Sequence, residues 1–335
     1  MGRLVPLRVV VLLPFCNAAP TLADAVESIR QQTFQEWELF LLNDGSTDGG
    51  AEIGSSFAKF DSRIRVLHLS PMGIVNALNH GMEHSKADVL ARMDADDVCH
   101  PQRFEKQVAV LESCPEVGLV SCRVAFGGDR EAHAGYARHV DWQNGLITHG
   151  DMFDHRFVDA PVAHPSVMFR RSVVEKYGGY REGDFPEDFE MWLRWMEAGV
   201  RFAKVPEILL TWNDAPTRLS RVDDRYSQNS FYRVKCDFLL RVLPEDRPIW
   251  LWGAGRPTRK RFELLDNERP FAGFVDIDPK KVGQKVTGRL VVHPEEIPDE
   301  AFVLLGVANP GAREKAIAFM RERGKQMRQD FFPVA

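Results

Sequence analysis

Three carboxylates stand within four residues in the stretch VLARMDADDVCHP, residues 89–101: Asp94, Asp96 and Asp97. They follow an apolar run typical of a buried strand, and no lysine or arginine follows them within the stretch to offset their mutual repulsion. A hard divalent cation would offset it, since such ions take oxygen ligands and also bind phosphate oxygens. The alternative is a solvated acidic turn before a helix that begins at Pro101. The triplet alone leaves both interpretations open.

Two further polar loops follow apolar runs in the same way. Pro14-Phe15-Cys16-Asn17 comes after the run 8–13, and Asn43-Asp44-Gly45-Ser46 comes after the run 37–42. Amphipathic segments separate these runs, and this β-α-β-α-β alternation predicts an α/β fold with a mostly parallel sheet flanked by helices. Because ligands bind at the carboxyl ends of strands in such sheets, we expect the three loops to meet at one edge and form a site.

The elements that position these loops can be placed from periodicity. A helix is predicted to begin at Thr21 with Asp24 in a capping-box position, and others over 74–84, 101–114, 187–199 and 226–243. Residues 123–160 are rich in His, Asp and Gly, so loops and one short helix are expected there.

Length and composition limit the possible classes of protein. The chain has 335 residues, 27% charged residues and a net charge of -5, which indicates a globular protein and argues against a nucleic-acid partner. Its five cysteines form no C-x-x-C pair, and neither a signal peptide nor a membrane-spanning run is seen, so a cytoplasmic location is expected. The stretch PEDRP, residues 244–248, reads as a linker, which predicts one domain over 1–243 and a second over 244–335.

Five ordered blocks of the sequence resemble the family 2 glycosyltransferases, which have the GT-A fold and use nucleotide-sugar donors. The blocks are LLPFCNAAPTLADAVESIRQQTFQEWELFLLNDGSTDGG, GIVNALNHGM, ARMDADDVCHPQRFEKQV, HPSVMFRRSVVEKYGGYRE and EDFEMWLR. The resemblance implies an inverting, metal-dependent transfer from a nucleotide-diphosphate donor, expected to be a UDP-sugar, to a hydroxyl. The implied acceptor is a glycan or a lipid-linked acceptor in surface polysaccharide synthesis. The expected location is the cytoplasm, with the inner face of the membrane as an alternative and at most peripheral association.

The resemblance also assigns roles to the strand-end loops. The acidic triplet matches the family's D-x-D element, with Asp96 as the direct ligand of Mn²⁺ or Mg²⁺ and Asp94 as a second ligand or a ribose contact. Asp97 would orient its neighbours or accept backbone hydrogens. Many relatives also use a histidine, near the strand that follows the helix beginning at Glu187-Asp188, to help hold metal or diphosphate. The corresponding stretch TWNDAPTRLSR lacks it, and either Asp214 or Arg218 could replace it, Arg218 through forked donors to phosphate.

Base and ribose recognition is assigned to the two other loops. Pro14, Phe15 and Asn17 match the loop that lines the nucleoside, and Asp44 matches the aspartate that accepts the imide N–H of uracil. The family often has Asp where this chain has Asn43, so base identity stays open. Without the resemblance, these residues would be read as an ordinary turn and a strand-end cap.

Catalysis is assigned to the start of a later helix. The resemblance makes Asp188 the catalytic base, with Glu187 orienting the acceptor or the base. A helix N-terminus favours the ionised form, so an ordinary pKa of about 4 is expected for Asp188. His164 is a candidate acceptor contact, while Trp192 and Trp195 are expected to be core residues.

The C-terminal part and two other functions complete the interpretation. The stretches WGAGR and VDIDPKKVGQKVTGRLVVHPEEIP resemble small Rossmann-like domains, but Thr258 replaces the third glycine of a dinucleotide-binding turn, so no NAD is expected. A catalytically inactive nucleotide-sugar sensor or scaffold remains an alternative. A sugar-1-phosphate nucleotidyltransferase is another, although PFCNAAPTL lacks the glycine and lysine of its usual loop.

Overall fold

The computed structural model describes residues 7–215, 218–309 and 311–335. The chain divides into two compact units. The first holds the residues up to Met152 with Pro161–Gly183 and Glu190–Val222; the second holds Phe153–Ala160, Asp184–Phe189 and Asp223–Ala335. The expected domain boundary after residue 243 stays a prediction. The division into compact units does not coincide with it, since residues 223–242 group with the C-terminal residues. Residues 1–6 belong to the N-terminal stretch in which no signal peptide is seen, and they lie outside the described ranges.

The elements of the first part alternate as predicted. They are β1 (Val9–Phe15), α1 (Ala19–Arg30), β2 (Trp37–Asp44), α2 (Gly50–Phe60), β3 (Ile64–Leu69), α3 (Gly73–His84), β4 (Val89–Arg92), β5 (Val98–Cys99), α4 (Arg103–Ser113) and β6 (Val117–Phe126). After these come α5 (Ala134–Gly145), α6 (His149–Asp154), β7 (Met168–Arg170), α7 (Arg171–Tyr177), α8 (Glu187–Glu197), β8 (Arg201–Trp212) and α9 (Leu219–Val222).

One sheet of eight strands, in the order β3-β2-β1-β4-β7-β6-β8-β5, organises the first unit. β1 to β4 run parallel, and β7 runs antiparallel to both of its neighbours. Nearly every residue of β1 is buried, which is why its sequence is continuously apolar rather than alternating. The pairing Phe15↔Asn43 brings the carboxyl ends of β1 and β2 together, and Met93 N–H donates to Leu12 C=O beside them. The predicted α/β fold with a mostly parallel sheet is thereby confirmed.

Two local predictions were wrong. α1 begins at Ala19, and Thr21 does not cap it; the Asp48 carboxylate, from the loop after β2, accepts the Ala19 N–H at 2.8 Å instead. Residues 123–160 contain more regular structure than expected, because β6 continues to Phe126 and two helices, α5 and α6, follow. Only Ala137, Val140 and Gln143 of α5 are buried, and one of these is polar, so the apolar period of the helix is weak in the sequence.

The second unit contains a smaller sheet. Its elements include α10 (Gln228–Val242), β9 (Ile249–Trp252), α11 (Arg256–Arg261), α12 (Glu263–Glu268), β10 (Gly273–Val275), β11 (Lys285–Val286), β12 (Arg289–Val292), β13 (Phe302–Leu305), α13 (Ala312–Glu322) and β14 (Phe331–Pro333). The strand order is β11-β12-β10-β9-β13-β14, parallel except for the β11–β12 pair. The turn after β9 uses Gly253 at φ 124°, and the next amide, of Ala254, donates to Asp276 at 3.1 Å.

The cysteines and the helices can be compared with the expectations of no disulfide framework and no membrane-spanning run. All five cysteines are free, and Cys99, Cys122 and Cys236 are buried. Within the described ranges, no helix has both the length and the apolar composition that crossing a bilayer requires.

Candidate active site

The three carboxylates lie together in the loop between β4 and β5. One oxygen from each of Asp94, Asp96 and Asp97 falls in a group whose members are all within 4.8 Å of one another. Asp97 is only 1% exposed; its Oδ1 accepts the Asn213 N–H at 2.8 Å, and its Oδ2 is buried without a hydrogen-bond partner among the described residues. The triplet is therefore not the solvated turn of the simpler interpretation.

Part of the repulsion is offset by a residue that precedes the triplet. Arg92, the last residue of β4, donates to Asp94 Oδ1 at 2.6 Å from a side chain that is 2% exposed. Arg92 was missed in the sequence because only the residues after the carboxylates were considered as a source of positive charge. An arginine inside a buried apolar strand was the available signal, because such a residue needs a partner.

The remaining repulsion is visible in the protonation of the cluster. Burial opposes ionisation of Asp94, but the charges of Arg92 and Arg218 outweigh it and lower the pKa of that carboxyl. Burial and the charge of Asp94 raise the pKa of Asp96 to about 6. Burial and both neighbours raise the pKa of Asp97 well above its usual range. Two carboxylates thus lack sufficient positive charge from the chain.

The residues present fit a divalent cation. Carboxylate oxygens are the ligands that Mg²⁺ and Mn²⁺ prefer, and the donor set contains no nitrogen or sulfur that would favour a softer metal. A buried oxygen of Asp97 without a partner is the specific observation, because such an atom is costly unless something positive binds it. Asp96 and Asp94 stay predicted ligands, and an oxygen of Asp97 lies in the same group of carboxylate oxygens.

The end of β8 closes one side of the acidic loop. Asn213 donates its side-chain amide to Asp96 C=O at 2.7 Å, in addition to its backbone bond to Asp97. The Arg218 guanidinium lies 4.3 Å over the Trp212 ring. Its charge contributes to the lowered pKa of Asp94 and opposes the rise in the pKa values of Asp96 and Asp97. Of the two candidates for the missing histidine, Arg218 is the one with this influence. Asp214 is fully buried and paired with arginines instead.

The loops after β1 and β2 are joined to each other. Asn17, at φ 54°, accepts the Thr47 N–H at 2.8 Å, and its own N–H donates to Ser46 Oγ at 3.1 Å. The two oxygens of Asp44 accept the N–H groups of Met72 and Gly73 at 2.7 and 2.9 Å, at the start of α3.

Through these bonds Asn17 and Asp44 stabilise the loops, as they would in the simpler interpretation of an ordinary turn and a strand-end cap. Each carboxylate oxygen of Asp44 keeps a second lone pair, so a nucleobase contact is compatible with the cap. Pro14 is half-buried, whereas Phe15 is 4% exposed and belongs to the core beside Gly50 and Gly54. The nucleoside-lining roles of these residues stay predictions, and for Phe15 the burial leaves little side-chain surface to contact a ligand.

His164 begins a turn at His164–Ser166 near the acidic cluster. Its Nε2 lies 2.7 Å from the Tyr180 hydroxyl, and its ring packs edge-on to Trp192. Burial and the Arg92 charge lower its pKa to about 3 despite the opposing effect of Asp94, so the ring is neutral at physiological pH. Trp192 and Trp195 are fully buried, as expected for core residues.

Glu187 and Asp188 open α8 and belong to the second unit. Glu187 is 1% exposed and accepts the Tyr226 hydroxyl at 2.9 and 2.7 Å. Asp188 accepts the Phe189 N–H at 2.7 Å, and burial together with the charges of Glu187 and Asp159 raises its pKa to about 8. The ordinary pKa expected from the helix terminus was wrong, because desolvation and a like charge outweigh the helix field.

Several residues that shape the site were missed. Asn213, Tyr180 and Tyr226 are remote in sequence from their partners, and polar side chains at the ends of strands and helices were the available signal for the first two. Tyr226 was placed inside a predicted helix, but it ends the turn Asp224–Tyr226 that precedes α10.

A family model described as Glycosyl transferase family 2 matches residues 10–178. The amylovoran biosynthesis glycosyltransferase AmsE of Erwinia amylovora is 30% identical over 244 residues, covering 68% of this chain and 89% of AmsE.

Two solved structures share the fold. S. aureus TarS 1-349 in complex with UDP-GlcNAc aligns with a TM-score of 0.54 at 14% identity, covering 71% of this chain and 67% of the other; the longer TarS chain is covered over 40% of its length. The mannosyltransferase PcManGT from Pyrobaculum calidifontis, in complex with GDP-Man and Mn²⁺, aligns with a TM-score of 0.51 at 17% identity, covering 80% and 70%.

Proposed function

This chain belongs to glycosyl transferase family 2 and is a glycosyltransferase, and we propose that it transfers a sugar with inversion from a nucleotide-diphosphate donor to a hydroxyl. The observation that carries the proposal is the acidic cluster at the end of β4, where a buried Asp97 oxygen has no hydrogen-bond partner among the residues that the structure describes. A protein that needed this loop only for its fold would have little reason to bury a third carboxylate there.

The donor is held at the carboxyl ends of the strands. Asp94, Asp96 and Asp97 would hold Mn²⁺ or Mg²⁺, which when bound supplies positive charge for the diphosphate. Arg218 adds a second positive group on the same side, with forked donors suited to phosphate oxygens. Pro14, Asn17 and Asp44 contact the nucleoside. We propose a UDP-sugar, in keeping with the donor that the TarS structure contains.

The acceptor hydroxyl is activated by Asp188. Its raised pKa makes the ionised form a stronger base than an ordinary aspartate, at the cost of a smaller ionised fraction near neutral pH. Burial is the main cause of this shift; Glu187, fixed by the Tyr226 hydroxyl, adds to it and orients the base. Attack of the hydroxyl on the anomeric carbon, opposite the departing nucleoside diphosphate, gives inversion.

The acceptor is a glycan, free or lipid-linked, of a surface polysaccharide. This part of the proposal rests on AmsE, whose name places it in amylovoran biosynthesis. We propose that the reaction takes place in the cytoplasm or at the inner face of the membrane, where free thiols such as Cys99 and Cys122 remain reduced.

The test is turnover of a panel of UDP-, TDP- and GDP-sugars with Mn²⁺ or Mg²⁺, followed by release of the nucleoside diphosphate. We expect metal-dependent release from one donor class. In Asp188→Asn, turnover should fall by about 10² to 10⁴ while donor affinity stays within a few-fold. A protein that binds a donor tightly but never turns it over, with any acceptor fraction, would be a sensor or scaffold. One that binds no donor would refute the proposed site.

A further inference from the structure

A carboxylate that no proposed step uses is buried beside the donor site. The Asp214 side chain is fully buried, and three basic side chains surround it. The Arg221 Nη2 lies 2.5 and 2.6 Å from its two oxygens, His133 Nδ1 lies 2.8 Å from Oδ2, and Arg218 Nη1 lies 3.9 Å from Oδ1.

The chain directly before Asp214 is attached to the acidic loop. Trp212 ends β8 and carries the Arg218 guanidinium on its ring, and Asn213 bonds to both Asp96 and Asp97. Three consecutive residues therefore fix the acidic loop and the arginine that faces it. Any shift of this segment would move both the acidic loop and the Arg218 guanidinium of the proposed donor site.

Two glycines allow the segment to be packed so closely. A Cβ on Gly127 would lie 2.3 Å from Asn213 Oδ1, and one on Gly128 would lie 2.7 Å from Asp214 Cβ. The backbone supports this contact, because Gly127 N–H donates to Trp212 C=O at 2.8 Å. The position of Asp214 is thus held from the strand side as well as by its ion pairs.

Stability alone is a poor explanation for this arrangement. A buried ion-pair group usually contributes little more than apolar residues of the same volume would, because removing the charges from water is costly. Near a site that must bind a diphosphate, the same group has a use: it sets the direction of a flexible arginine before the ligand arrives, which reduces the ordering cost of binding.

We infer that Asp214 is a positioning residue, which holds Arg218 on the Trp212 ring and facing the acidic cluster so that its guanidinium meets the donor diphosphate. The inference rests on the proposed function, since it deepens the description of the donor site. Arg221 takes both oxygens of Asp214, which keeps the carboxylate from capturing Arg218 in a close pair, and Arg218 stays at 3.9 Å.

The test is a double-mutant cycle between Asp214→Asn and Arg218→Ala, read by calorimetry with UDP, UMP and inorganic diphosphate in the presence of Mn²⁺. Asp214→Asn should weaken UDP and inorganic diphosphate by about 10- to 100-fold, as expected for losing a charge-assisted contact. Arg218→Ala should do the same, and the double variant should be no weaker than Arg218→Ala alone. UMP affinity should change much less.

Asp61→Asn is the matched control. Asp61 is also a poorly exposed carboxylate between two arginines, Arg63 at 2.8 Å and Arg30 at 3.6 Å, but it precedes β3 at the opposite edge of the sheet. Its substitution should leave UDP affinity within about twofold, as expected for independent sites. If Asp214→Asn does not fold, Asp214→Glu takes its place in the cycle, with a smaller loss expected because the charge is kept.

Three results would overturn the inference. Equal UDP affinity in Asp214→Asn and wild type would remove any role in donor binding. Losses that multiply in the double variant would mean that Asp214 acts independently of Arg218. A wild-type protein that binds neither UDP nor inorganic diphosphate would refute the donor site itself, and the inference with it; the first two results leave that site intact.

Discussion

The Tyr226 hydroxyl donates to both carboxylate oxygens of Glu187, at 2.9 and 2.7 Å. Burial and the charges of Glu187 and Asp188 raise the pKa of Tyr226 far above its usual value, so the hydroxyl keeps its proton. The Glu187 carboxylate, which is 1% exposed and directly precedes the proposed catalytic base Asp188, therefore keeps the Tyr226 hydroxyl as a hydrogen-bond donor. The first prediction concerns this bond.

Replacing Tyr226 by Phe removes the donor and leaves the ring. We expect the free energy of unfolding to fall by about 1.5–3 kcal/mol, the usual worth of a hydrogen bond to a charged group. Urea unfolding measures it. Tyr136→Phe is the control, because the Tyr136 side chain is 37% exposed, and its effect should stay within about 0.5 kcal/mol. Equal effects of the two substitutions would show that the Glu187 contact is not formed.

The raised pKa of Asp188 gives the reaction a pH dependence. A base must be ionised to accept a proton. We therefore expect kcat/KM to rise with pH, to reach half its maximum near pH 8 and to level off above that value. Glu187→Gln removes the like charge that contributes to the shift, and the midpoint should move to lower pH. A midpoint near 4 in wild type, or no movement in Glu187→Gln, would contradict the proposed pair.

Stability provides a second reading of the same group, independent of activity. An unfolded aspartate ionises near pH 4, whereas folded Asp188 ionises near pH 8, so the folded protein holds an additional proton between these values. The stability of wild type relative to Asp188→Asn should therefore fall as the pH rises from about 4 to about 8. A difference that is constant over this range would mean that Asp188 has an ordinary pKa.

The third prediction concerns the close approach at Gly128. Gly128→Ala places a methyl group 2.7 Å from Asp214 Cβ and should cost about 1–3 kcal/mol of stability as well as UDP affinity. Gly135→Ala is the matched control: a Cβ there meets no atom within 4 Å in α5, and the change should stabilise by about 0.5–1 kcal/mol. A neutral Gly128→Ala would show that the loop after β6 does not confine Asp214.

The fourth prediction concerns a fragment that ends at Leu243. It would keep α10 but remove the Phe262 ring, which packs edge-on to Tyr232 at 5.1 Å, and Val334 C=O, which accepts from the buried Lys235 at 3.0 Å. We expect poor solubility and no cooperative unfolding, as monitored by circular dichroism. A soluble fragment with a cooperative transition would instead support the domain boundary that the composition predicts.

The strand-end loops could be located from the sequence because the apolar runs that precede them are long and buried. The order of strands after β4 could not, since the antiparallel placement of β7 depends on long-range pairing such as Leu90↔Phe169. Asp94 and Asp96 could be singled out by spacing. The buried state of Asp97 could not, because it depends on Asn213, more than a hundred residues later.

The same limit applies to protonation. The expected pKa of Asp188 came from the local field of a helix terminus, which sequence reveals. The charge of Glu187, which opposes it, is also visible in the sequence. Burial, the largest influence, and the charge of Asp159 depend on tertiary packing, which sequence does not reveal.

The central claim is that the acidic cluster binds a nucleoside diphosphate through a divalent metal. The most direct test is calorimetry of UDP binding to wild type and Asp96→Ala, each with Mn²⁺ and with a chelator. We predict that Mn²⁺ strengthens UDP binding to wild type by tenfold or more, about 1.4 kcal/mol, and that Asp96→Ala loses this gain while its melting temperature is kept. Equal UDP affinity of wild type and Asp96→Ala in Mn²⁺ would mean that the cluster does not bind the diphosphate through a metal.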